Sequence, residues 1–145
     1  MDPDGELFER LLALDHSRRE PWGPLHGVVV ACHRLQTATA PLPADDQLFV
    51  QLRVYLDGGL PAVSRYWAAA RARNSRRGGG APFAVPTGPL LDGPPARFAV
   101  TIRDVAVDGT FPADGHAERV HGWAVATLAA WGARTAPAEH SDQRE

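Results

Sequence analysis

Apolar residues recur along most of this chain at the three- and four-residue spacing of a helix, not at the alternation of a strand. Leu7, Leu11 and Leu14, with Phe8 beside them, form a stripe behind the early acids Asp4 and Glu6, which predicts a first helix. Pro21 and Gly23 break it, and the paired Arg18 and Arg19 read as a solvated loop. A central helix follows from Leu25 to Gln36, with Pro24 suited to its first turn, where a missing N–H costs nothing. His26, Val30, His33 and Thr37 fall on one face of that helix at about 100° per residue. Asp45 and Asp46 open a third helix whose apolar face is Leu48, Leu52, Tyr55 and Leu56, with Gly58 as its left-handed stop. Pro61 opens a further helical run to Arg71.

The Gly- and Pro-rich stretch 77–96 predicts a long irregular loop. Residues Arg97 to Val105 carry β-branched side chains, but a single strand without a partner is unstable. Thr101 and Asp104 have the spacing of a capping box, so a short helical turn is the better reading. The last helix runs from about Ala113 to Ala133, with His116, Val120, Trp123, Thr127 and Trp131 on one face. Residues 135–145 read as a polar tail. The pattern predicts an all-α, single-domain helical bundle of four to five helices over residues 1–134.

Composition narrows the chemistry. A length of 145 residues suits one domain, burying roughly two-thirds of its unfolded surface. A net charge of −2 gives no electrostatic case for nucleic acid or an anionic membrane. All 15 basic residues are arginine, as in proteins of high-GC bacteria, which excludes lysine Schiff bases and phosphate-loop lysines. One cysteine, Cys32, forbids an internal disulfide and a four-cysteine zinc site. The opening Met1-Asp2-Pro3-Asp4-Gly5 has neither a basic nor an apolar leader segment, and no apolar run approaches a bilayer span, so the expectation is cytoplasmic.

With the helices placed, a set of short motifs stands out. The central helix reads H-x3-V-x5-Q (His26, Val30, Gln36), and the third contains Leu52, Leu56 and Gly58. Then come Thr101, Asp104 and Val105, and H-x3-V-x2-W-A (His116, Val120, Trp123, Ala124) ahead of Ala130 and Trp131. This order resembles a bacterial family, common in actinobacteria, known only as a domain of unknown function. The resemblance covers most of the chain and names no reaction. Three departures accompany it. The family's N-terminal C-P-x-C pair is missing. Ala31, His33 and Thr37-Ala38 stand where the family's central helix has an acid, a tyrosine and H-P. Gln51-Leu52 stands for the family's H-L.

Polar groups inside an apolar helix must be paired, hydrated or used. The expected site is therefore a polar pocket between the central and last helices, with His26, His116, His33 and Gln36 as catalytic candidates. Gln51, Tyr55 and Trp123 are the candidate ligand-binding residues. Imidazole titrates near neutrality, so these histidines suit acid/base chemistry on a small-molecule or peptide ligand. They equally suit core positions with their N–H groups on carbonyls. No H-x3-H or H-E-x2-H motif is present, so no metal ligands and no cofactor are assigned, although a metal-binding bundle stays open. Cys32, mid-helix among valines, reads as a buried hydrophobe. A non-catalytic interaction module, docking a partner through a helix face or through Arg71 to Pro95, is the rival from another class, and a homodimer is a further candidate assembly.

Overall fold

The computed structural model describes residues 2–76 and 93–144, with side chains at 2–72 and 93–132. Five helices follow in order: α1 (Pro3–His16), α2 (His26–Thr37), α3 (Gln47–Arg76), α4 (Ile102–Val105) and α5 (His116–Arg144). No strand occurs among the described residues. The fold is all-α, as the periodicity predicts.

Local chemistry sets the helix ends. Asp2 caps α1, its carboxylate accepting from the Gly5 N–H at 3.3 Å, with Pro3 at the first helical position. The capping box forms as predicted. The Thr101 N–H donates to Asp104 at 2.9 Å while the Thr101 hydroxyl accepts from the Arg103 N–H, which fixes α4. Asp108 and Gly109, at φ 51 and 77, turn the chain so that Val107 and Thr110 pair back to back in an isolated bridge.

Three boundaries differ from expectation. Pro24 lies not in the central helix but in a 3₁₀ turn, Gly23–Leu25, so α2 begins at His26 and that imidazole sits at its N-terminal end. The break in α3 falls at Gly59 (φ 75, ψ −170) instead of Gly58, and the helical run from Pro61 is the second half of one kinked helix. Helical backbone in α5 continues to Arg144, beyond the predicted end at Ala133. Residues 77–92 of the expected loop, and the side chains of the expected tail, lie outside the described residues.

Helix α2 occupies the middle, touching α1, α3 and α5. Its core face carries Val28, Val29, Ala31, Cys32 and Leu35, packed with Leu52, Val120, Trp123, Ala124 and Trp131. Two polar cross-links pin α5 to α2: the Trp131 indole donates to the Leu35 carbonyl at 2.9 Å, and the Gln36 amide donates to Thr127 at 2.8 Å. On the other side, His33 stacks on Phe8 at 3.7 Å and His26 meets Asp15 at 3.0 Å. These pairs are seven residues apart on each helix in opposite directions, so α1 and α2 run antiparallel. Among the described residues no helix is long and apolar enough to cross a membrane.

Candidate active site

The site begins with an acid on an apolar stripe. Leu7, Leu11 and Asp15 recur every four residues on α1, so the face that buries Leu11 also buries Asp15. Its side chain is 0% exposed, one carboxylate oxygen bonds His26 Nδ1 at 3.0 Å, and the other has no hydrogen-bond partner. Burial pushes the Asp15 carboxyl above its ordinary range; His26, by hydrogen bond and charge, and His16, by charge, pull the other way. An ionised carboxylate only accepts, so the hydrogen sits on His26 Nδ1 and Nε2 keeps its lone pair. The imidazole is 42% exposed and lines an open groove of about 610 Å³.

The loop between α1 and α2 completes that groove. His16, the last residue of α1, brings a second imidazole to 5.5 Å from His26, and Arg18 adds a guanidinium. Arg18 adopts φ 64, and Gly23 packs on its backbone so closely that an added Cβ would come within 2.8 Å of Arg18 Cα. Only glycine allows the loop to fold this tightly beneath His26. The groove can therefore abstract a proton at His26 Nε2 and offset negative charge at Arg18, with His16 as a second proton carrier.

The other expected residues go elsewhere. The four-residue pocket between α2 and α5 does not form, because the wholly apolar face of α2 takes that interface and turns His26 and His33 toward α1. His33 is stacked on Phe8, and burial holds its imidazole below the ordinary histidine range against the opposing pull of Asp4 and Asp2. Gln36 is a structural link, not a ligand group: its amide nitrogen donates both to Thr127 and to the Val100 carbonyl at 2.8 Å. Trp123 and Tyr55 are core side chains, Tyr55 lying with its ring 5.9 Å from His121. Gln51 is buried too, but it opens on a separate cleft.

His116 is fully buried among rings, 6.3 Å from Trp22 and 6.1 Å from Phe111, and neither ring nitrogen has a hydrogen-bond partner. Burial, helped by the charge of Arg119, lowers its pKa to about 4, so it is neutral at pH 7. Cys32 is buried and its thiol pushed up to about 12, against the pull of a Thr127 hydrogen bond, which removes it as a nucleophile. Among the described residues no three His, Cys, Asp or Glu side chains are arranged to hold a metal ion.

Comparison with known families gives one match. The model of DUF5946, a family of unknown function, matches residues 5–132. The chain belongs to this family. No curated protein and no solved structure matches it. The matched span contains Asp15, His16, Arg18, His26 and Gln51.

Sequence reading missed Asp15, His16 and Arg18. A signal for Asp15 was present: an acid continuing the Leu7–Leu11 register, where an exposed carboxylate would not be expected. Nothing local marked His16 or Arg18, because the fold of the loop alone sets them beside His26.

Proposed function

We propose that this DUF5946 member is a small-molecule enzyme of bacterial cytoplasm in which His26 transfers a proton, with Asp15 as its positioning residue. The observation that carries the reading is the pairing of a closed carboxylate with an open imidazole at 3.0 Å. Burying a carboxylate with one oxygen unpartnered costs stability, and such features cluster where chemistry needs them. As His26 accepts a proton at Nε2, the adjacent Asp15 charge stabilises the imidazolium and keeps its ring aimed. Arg18 and His16 line the same groove and would hold an anionic or hydrogen-bonding substrate group. The all-arginine composition and single, buried, free thiol support the bacterial and cytoplasmic assignment.

The test uses p-nitrophenyl acetate, whose hydrolysis reports any activated imidazole. His26→Gln is expected to remove most of the protein-dependent rate, and Asp15→Asn to lower it about tenfold or more. His33→Gln, away from the groove, should leave it unchanged, with cooperative melting retained in all three. Wild-type rates in folded His26→Gln would overturn the reading.

A further inference from the structure

The kink in α3 builds a second cleft beside the His26 groove. On a straight helix Gln51 and Trp67 would stand about 160° apart, on opposite faces. The Gly59 break swings the second half of α3 round, so that Gln51 and a stripe containing Val63, Ser64, Trp67 and Arg71 line one cleft of about 300 Å³. The start of α2 closes the far wall. Gln51 is only 7% exposed, and its amide makes no hydrogen bond among the described residues. The amide nitrogen lies so close over Gly27 that a Cβ there would come within 2.5 Å, so glycine is what admits it.

The polar groups of the cleft are all able to donate: the Gln51 amide, the Ser64 hydroxyl and the Arg71 guanidinium. Among the described residues no carboxylate lines it and Arg71 has no acidic partner. A single cation flanked by neutral donors suits a monoanion better than a dianionic phosphate. Trp67 and Val63 add a flat apolar wall, which suits a ring. Pro24 lines both this cleft and the His26 groove, and His26 and Gly27, one in each wall, are consecutive.

We propose that the cleft between the start of α2 and the kinked α3 binds a small aromatic carboxylate, with Gln51, Ser64 and Arg71 on the carboxylate and Trp67 against the ring. Resting on the acid/base reading above, this cleft is the recognition half of the site, and the substrate's reacting end reaches His26 over Pro24.

Benzoate, titrated into the full chain and followed by NMR, tests the assignment. The side-chain amide of Gln51 and the indole N–H of Trp67 are expected to shift saturably at millimolar benzoate. Arg71→Gln, on an exposed helix position, should weaken binding at least tenfold, and Gln51→Leu should weaken it as well. Neutral benzamide should bind at least tenfold more weakly than benzoate. Non-saturating shifts, equal binding of benzamide, or indifference to Arg71→Gln would each overturn the proposal. Benzoate offers His26 nothing to act on, so this titration fails only if the cleft is wrong, whereas the ester assay fails only if His26 is.

Discussion

At the scale of single residues, Asp15 shows how a site is bought with stability. Its carboxyl pKa is raised by burial, so the folded state holds the acid proton more tightly than the unfolded chain does. The contribution of Asp15 to stability is then fully present below the ordinary carboxylate range and lost as pH rises through the raised value. At neutral pH the ionised carboxylate is a net cost. Asp15→Asn keeps an acceptor for His26 and removes the buried charge. It should melt at pH 7 no lower than wild type, in a thermal scan, while losing ester hydrolysis. A clear fall in melting temperature would instead make Asp15 a structural anchor. His33 presents the opposite case at the same scale. Stacking on Phe8 already gives its ring a packing role, and nothing near it needs a proton moved.

Among the elements, α3 has the conformation that matters most. Gly59 lies at φ 75 and ψ −170, a region open to glycine and costing other residues about 1–3 kcal/mol. Gly59→Ala should therefore lower stability by about that amount, and the straighter helix should separate Gln51 from Trp67 and abolish benzoate binding. Gly122, in regular α5 with nothing within 4 Å of an added Cβ, is the control. Gly122→Ala should be neutral or stabilising by up to about 1 kcal/mol. Urea denaturation of the two variants, with the benzoate titration repeated on each, checks both statements. Equal effects of the two substitutions would mean that the kink is not fixed by Gly59. The element boundaries were legible wherever local chemistry decides them. Thr101 and Asp104 fixed α4, and Asp57-Gly58-Gly59 flagged the break to within one residue. Which of the two glycines turns depends on how the halves of α3 pack, and no local rule decides that.

Across the whole molecule, His116 links acidity to stability. Its pKa falls from about 6.5 in the unfolded chain to about 4 in the fold, where burial and the Arg119 charge disfavour the imidazolium. The stability tied to its neutral form is present above the unfolded pKa and is lost as pH falls toward the folded one. Near 1.4 kcal/mol per pH unit, that amounts to about 3 kcal/mol between pH 6.5 and 4. Asp15, whose carboxyl pKa is raised by burial, works in the opposite direction. Wild-type urea midpoints should drop steeply over this interval. His116→Leu, an apolar replacement for a ring with two unpartnered nitrogens, should flatten the slope without loss of stability at pH 7. Parallel slopes for the two proteins would remove His116 from the account.

The sequence was enough to determine an all-helical domain, the existence of each helix, the capping box of α4 and the exclusion of lysine and disulfide chemistry. Periodicity and capping act over a few residues, so one chain read by itself contains them. It also showed that His26 was a polar group in apolar company and that Gln51 was a candidate ligand-binding residue. It could not say where they point. The stripe His26–Val30–His33 and the stripe Val28–Ala31–Cys32–Leu35 both follow helical spacing, and only the competition among α1, α3 and α5 for α2 put the apolar one inside. The tertiary structure alone therefore brought Asp15 under His26, folded Arg18 back over Gly23 and swung Trp67 round to Gln51. These are contacts between residues distant along the chain or across a kink, and their geometry is set by how whole faces pack.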